Sequence, residues 1–404
     1  MKPIKILLFS FLFGAVLTAN AAEVADRNPN LQDLWVGRAS FVPYKKIIFS
    51  GAPITGHENN TSSVIVHDGK WYAMNRITKS TKSGCPNSQM VMGLRESPDR
   101  GSTWGAFKLI TNDDSKFCGL ADGDLYFDKS ANTWFVLVQC LSKTRTWDLC
   151  LYTKKGENPM LGDYIAATDN PVVRGGSLWS RICALPNSHC LAKIYDEGTP
   201  QIVKKENGYF YVTFHGYDHV HGYRGMVKTT DFRNWIVNAD DLPDGIMLSS
   251  QDCKSISAGC IGGGHDSMLL DGGYYYHLIE TPDGNLACKA GARWPVSLFR
   301  SRNLNAKSGK FESFGENPLI INLLRSPVGC ELQYANLFRG TKGRIYLYVT
   351  YFSNKPNIEW YPAAIFRLEF SPSRRPQIVI DSESIAALDK LPARIDNTIL
   401  TFPN

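Results

Sequence analysis

Thr199-Pro200-Gln201-Ile202-Val203-Lys204, Glu206-Asn207-Gly208 and Tyr209-Phe210-Tyr211-Val212-Thr213-Phe214 read together as two β-strands joined by a tight turn. β-Branched and aromatic residues fill both runs, and Asn-Gly supplies the positive φ that a right-twisted hairpin needs. The same pattern recurs along the chain, at 62–67 with 70–75, 123–127 with 133–139, 266–270 with 274–279, and 332–338 with 344–351. Further strands are expected at 89–96, 148–153, 225–229, 296–301 and 363–369. Five similar units at near-regular spacing predict an all-β, five-bladed β-propeller rather than a sandwich. Residues 35–50 read as extended and are expected to complete the last blade. No helix of ordinary length and no low-complexity linker interrupts the pattern, so 22–404 reads as one domain.

A local motif supports the same architecture. Ser97-Pro98-Asp99-Arg100-Gly101-Ser102-Thr103-Trp104 matches the Asp-box pattern S-x-D-x-G-x-T-W in full. In such a hairpin the Asp side chain caps turn amides, Gly takes a positive φ and Trp packs between blades. Looser versions occur at Thr230-Asp231-Phe232-Arg233-Asn234-Trp235 and Ser301-Arg302-Asn303-Leu304. These boxes mark the fold and carry no chemistry.

The first residues bear on compartment. Lys2 and Lys5 precede an apolar run, 6–17, that ends at Thr18-Ala19-Asn20-Ala21. A positive start, a short apolar core and small residues at the cleavage point describe a signal peptide over 1–21 rather than a membrane anchor. Its removal takes the net charge from +6 to +4 by loss of the two lysines. The remaining basic residues are dispersed, which argues against nucleic acid as a partner. The ten cysteines behind an export signal read as disulfides in a secreted or periplasmic protein. Cys183 with Cys190, and Cys253 with Cys260, are each placed to staple a short loop; the other pairings stay open. A soluble, monomeric chain is expected.

In a propeller the first strand of each hairpin lines the axis, so polar residues at its head converge on one funnel. Glycoside hydrolysis needs two carboxyls across the scissile bond, one protonated and one ionised. A third carboxylate nearby tunes the acid, because like charges raise each other's pKa. Against this background, 196–211 resembles the E-G-P-x-I-x-K-x-x-G-Y-Y-Y segment of the five-bladed arabinanases, arabinofuranosidases and β-xylosidases. The resemblance implies Glu197 as general acid, with Thr199 inserted before the proline. Ala121-Asp122-Gly123-Asp124-Leu125-Tyr126 resembles A-P-D-V-x-Y, which implies that Asp124 tunes the acid, with Asp122 its near neighbour. Gly263-Gly264-His265-Asp266-Ser267 resembles G-x-G-H-N-S, which implies an axial His265 near a calcium ion held through water and oxygen ligands.

The first blade departs from that pattern. Where the family reads A-D-P-S-V-I, this chain has Asn60-Thr61-Ser62-Ser63-Val64-Ile65, and a threonine is no ionised base at neutral pH. Glu58 is the nearest substitute, His57 is another, and Glu331 is an alternative. His57, Asp122, His265, Asp266, Glu331 and Tyr334 are expected to bind substrate, an oligo- or polysaccharide. Trp179, Trp294, Arg325 and His215 are further funnel candidates. The expected activity is hydrolysis of glycans containing furanose or pentose residues. Two competitors stand beside it. One is a sialidase-like enzyme, favoured by the Asp box and by the strand around Tyr334. The other is a silent propeller that binds sugar without cleaving it, for which Thr61 is the simplest reason.

Overall fold

The computed structural model describes residues 27–49, 57–81, 88–101, 103–110, 116–143, 146–188, 190–249, 266–281, 295–305, 311–323, 333–353, 359–371 and 376–390. Side chains at 46, 48–49, 57–62, 78–81, 88–89, 249, 322, 333, 351–353, 359–363, 382, 385 and 388–389 are outside the description.

Each predicted hairpin is present and gains a third antiparallel strand. The first blade is β2 (His57–His67), β3 (Lys70–Thr81) and β4 (Ser88–Ser97). The second is β5 (Gly119–Asp128), β6 (Thr133–Leu141) and β7 (Trp147–Lys155). The third is β8 (Gly198–Glu206), β9 (Tyr209–Tyr217) and β10 (Gly222–Thr229). The fourth is β11 (Asp266–Asp271), β12 (Tyr274–Glu280) and β13 (Val296–Ser301). The fifth is β14 (Gln333–Arg339), β15 (Ile345–Ser353) and β16 (Glu359–Phe370).

The N-terminal segment partly departs from its expected form. Residues 35–50 were expected to be extended, yet Trp35 ends a short helix, α1 (Leu31–Trp35). A capping box between Asn30 and Asp33 starts this helix, and Arg27 and Arg38 hold the Asp33 carboxylate at 2.7 and 2.9 Å. The helix sinks Leu31 and Leu34 into the core between the fourth and fifth blades. After it, β1 (Ala39–Lys46) runs antiparallel to β16 and adds the outer strand of the last blade, as expected.

Blades touch through their broad faces, and a hydrophobic cluster fills each seam. Met74, Leu94, Leu125 and Val136 join the first two blades, and Leu137, Leu149, Val212 and Phe214 the second and third. Tyr211, Met226, Met268 and Tyr275 join the third to the fourth. Leu278, Leu298, Leu337 and Leu347 join the fourth to the fifth. Val64, Trp71, Tyr348 and Ile365 join the fifth to the first. The innermost strands β2, β5, β8, β11 and β14 each contact the next, and β14 contacts β2.

The Asp box lies in the seam of the first and fifth blades. Asp99 accepts hydrogen bonds from the Thr103 amide and hydroxyl, both at 2.8 Å, and from Ser97 Oγ at 2.9 Å. Gly101 takes φ +88°, and a Cβ there would lie 2.2 Å from Ile365 Cδ1, so only glycine fits. Trp104 is fully buried, with its ring edge-on to Tyr348. The looser box at 230–235 is also a capped turn: Asp231 accepts from the amides of Arg233 and Asn234.

Cys140–Cys150 and Cys183–Cys190 are disulfides, the second as expected. Cys118 is disulfide-bonded as well. Cys253 and Cys260 lie outside the described residues. Among the described residues no helix is long and apolar enough to cross a membrane.

Candidate active site

An axial cavity of about 210 Å³ is lined by the five innermost strands. Its polar wall is a belt of side chains that each tie one blade to the next. Ser63 Oγ donates to Asp124 Oδ1 at 2.5 Å, and Asp124 Oδ2 accepts the Ile202 amide at 2.9 Å. Gln201 grips the backbone of Met268 through both ends of its amide, at 2.6 and 3.1 Å. Ser267 Oγ accepts the Leu337 amide at 3.0 Å. Asp124 thus occupies in its blade the place that Gln201 and Ser267 occupy in theirs. Burial pushes its carboxyl up to about 6, against the hydrogen bonds from Ser63, Ile202 and Leu125 that favour the charged form.

Before the belt, the first three inner strands are irregular. Their pairing slips between Thr61 and Ser63, between Ala121 and Gly123, and between Gly198 and Gln201. Asp122 and Thr199 sit at two of these slips with φ of 23° and 36°. Strained backbone of this kind persists where the surroundings over-determine it, and it concentrates at working sites.

Asp122 is buried and accepts from Arg76 Nη1 and Gln139 Nε2, each at 3.2 Å. Gln139 Oε1 in turn accepts the Thr199 amide at 3.0 Å. One side-chain chain therefore links the mouths of the first, second and third blades. The guanidinium of Arg76 also lies 5.9 Å from the centre of the Tyr334 ring, and Glu280 adds negative charge nearby. Arg76, Gln139 and Glu280 were not anticipated from sequence. Their one signal is a polar residue late in the second strand of a hairpin.

Glu197 is placed differently from its resemblance. Its carboxylate is wholly buried and accepts the amides of Gly176, Leu178 at 2.8 Å and Trp179 at 3.2 Å. These amides open a six-residue helix, α2 (Ser177–Ile182). Thr199 falls in the slip between Gly198 and Gln201, at the head of the strand that Glu197 precedes. Burial drives the Glu197 carboxyl up to about 8, outweighing the three amides that favour its charged form. Its neighbour Gly198 lies against His215, where a Cβ would come 2.0 Å from the ring Nδ1.

Asp266 lines the cavity, but its carboxylate faces Arg224 at 3.2 Å and His277 at 2.6 Å, both fully buried. A carboxylate with cationic and imidazole partners does not suit a calcium shell, which needs oxygen ligands. Among the described residues no group of three or more His, Cys, Asp or Glu side chains is placed to hold a metal. His215 is buried beside Arg224, which pushes it down to about 3, burial being the larger cause. Trp179, a funnel candidate, is fully buried against Phe214.

The remaining candidates fall outside what is described. His57 and Glu58 stand at the head of β2, with side chains outside the description. His265, Trp294, Arg325 and Glu331 lie outside the described residues.

No family profile matches the sequence, and no curated protein matches it. Solved structures do. A GH32 β-fructofuranosidase of Bombyx mori is similar with a TM-score of 0.52 at 12% identity, over 85% of this chain and 64% of that one. A thermostable family-43 glycoside hydrolase is similar with a TM-score of 0.51 at 12% identity, over 80% of this chain and 98% of that one. A mutant of the Bombyx mori enzyme in complex with sucrose gives a TM-score of 0.52 at 13% identity, over 82% of this chain and 64% of that one. This chain therefore spans less than two thirds of the fructofuranosidase. It has the fold of the five-bladed β-propeller glycoside hydrolases.

Proposed function

We propose that this chain is an exported glycoside hydrolase acting on glycans that contain furanose or pentose residues. The observation that carries the reading is the linkage at the mouth. Asp122, held by Arg76 and Gln139, is joined through the Gln139 side chain to the Thr199 amide, two residues from Glu197. Glu197 is assigned as general acid, because burial keeps it protonated at neutral pH. Its proton passes to the leaving oxygen as the glycosidic bond breaks. Water adds to the anomeric carbon and yields a proton to the base, assigned to Glu58 at the head of β2. Asp124 and Asp122 set the field around them. For Glu197 to reach a glycosidic oxygen, α2 must release its three amide bonds. The fold shared with a fructofuranosidase described with sucrose supports a saccharide substrate, and the disulfides fit an oxidising compartment.

The test is a hydrolysis panel of fructans, arabinans, xylans and sialosides with wild type and Glu197→Gln. The variant should lose about 10²–10⁴-fold on substrates with poor leaving groups and less on activated aryl glycosides. Unchanged activity on the cleaved glycan overturns the assignment. A second reading rests on the same burial of Glu197. If α2 never releases it, the propeller binds glycans without cleaving them, and binding without turnover across the panel is its signature.

A further inference from the structure

The face away from the mouth carries an unassigned cluster of positive charge. In the seam between the fifth and first blades, a cavity of about 100 Å³ is lined by Arg100, Lys342, Arg344 and Arg367, with Tyr44 and Tyr346. Arg100 comes from the Asp-box turn, Lys342 and Arg344 from the turn joining β14 to β15, and Arg367 from β16. Their compensation is thin. Arg367 pairs with Glu369 and lies 4.6 Å from the centre of the Tyr44 ring. Among the described residues, the Arg344 side chain donates only to the neutral Asn28 Oδ1, at 3.0 Å. Among the described residues, Arg100 and Lys342 form no ion pair. Four cations thus face one carboxylate.

Two more features point to a ligand. Thr341 Oγ1, also on the wall, is buried with no hydrogen-bond partner, and a buried hydroxyl left unpaired is costly. A second hollow of about 130 Å³ shares Arg344 and Arg367 and is walled by Pro29, Leu368 and Phe370, with Asn28 and the Arg367-paired Glu369 also on its wall. The first hollow offers guanidinium forks and a hydroxyl, the donor set that suits a tetrahedral oxyanion. The second offers an apolar wall for whatever carries that anion.

We propose that this seam is a binding site for a sulfate or phosphate monoester on a sugar, separate from the axial cavity. The two arginines shared by the hollows hold the anion, and the sugar ring lies over Pro29 and Phe370.

Isothermal calorimetry on the full chain, at constant ionic strength, tests it with glucose 6-sulfate, glucose 6-phosphate, inorganic sulfate, inorganic phosphate and glucose. The sugar esters should bind at one site, about tenfold tighter than the inorganic anions, and glucose should not bind there. Arg100→Gln with Arg344→Gln should weaken ester binding at least tenfold and leave the melting temperature and glycan hydrolysis as in wild type. Arg344→Lys should restore part of the loss. Esters that bind no better than chloride, or equally well to the double variant, overturn the site. Inorganic anions that match the esters overturn the sugar half of the proposal.

Discussion

The Leu178 amide donates to Glu197 Oε1 at 2.8 Å, so the carboxyl expected to serve the glycan is in this conformation held at the N-terminus of a short helix. With Gly176 and Trp179 it is held on both oxygens. This arrangement has a pH signature. Burial raises the carboxyl from 4.5 to about 8, so the folded chain keeps a proton across that window that the unfolded chain has lost. Its contribution is full below pH about 4.5 and declines as pH rises through about 8. Melting temperatures measured from pH 5 to 9 should fall more steeply for wild type than for Glu197→Gln. Parallel slopes would remove the raised carboxyl from the account.

Asp124, in the second blade, is joined to the first through Ser63 Oγ and to the third through the Ile202 amide. Asp124→Ala leaves both donors unmet in a buried place and should cost about 1–3 kcal/mol in chemical denaturation. Asp124→Asn still accepts from Ile202 and can donate to the Ser63 hydroxyl, so it should cost much less. Equal stability of all three proteins would show that the belt contributes nothing.

Gly198 allows the His215 ring to lie against the backbone of β8. A methyl group there meets the ring at 2.0 Å. Gly198→Ala should destabilise the chain by about 1–3 kcal/mol through overpacking. Gly208, at the far turn of the same strand pair, has open space around its Cβ position. A Gly198→Ala protein with the wild-type unfolding midpoint would refute the close approach.

The Cys140–Cys150 disulfide ties β6 to β7 across a sequence separation of 10, and both cysteines are fully buried. Replacing both by alanine should lower stability by roughly 2–3 kcal/mol, the range for a short closed loop. Equilibrium unfolding in urea measures it, and an unchanged midpoint would contradict the estimate.

Asp99 should show the opposite pH dependence from Glu197. Hydrogen bonds from Thr103 and Ser97, with Lys45 nearby, hold its carboxyl below the ordinary 3.8 although burial opposes them. Its stabilisation is present above about 3.8 and is lost as pH falls through its folded value. Asp99→Asn should therefore flatten the acid side of the melting profile, and an acid limb as steep as wild type would exclude this role.

The hairpins were legible because their signal is local. Alternating β-branched and aromatic residues around Asp68-Gly69 or Asn207-Gly208 need no partner to be recognised, and five repeats name the architecture. The Asp box was legible for the same reason, since the side-chain bonds of Asp99 and Trp104 that close its turn fall within Ser97 to Trp104. The segment before β1 was less so: five residues of helix are decided by what Leu31 and Leu34 bury, not by propensity.

Sequence by itself determined the strands, their order and the polar residues that head them. Tertiary structure alone decided where those residues point. Glu197 precedes its strand, and its carboxyl is held by amides of α2 about twenty positions earlier. Arg76 and Gln139 reach Asp122 only because separate blades bring their strands together. Contacts between residues tens of positions apart leave no local pattern, so their chemistry becomes visible only once the blades are assembled.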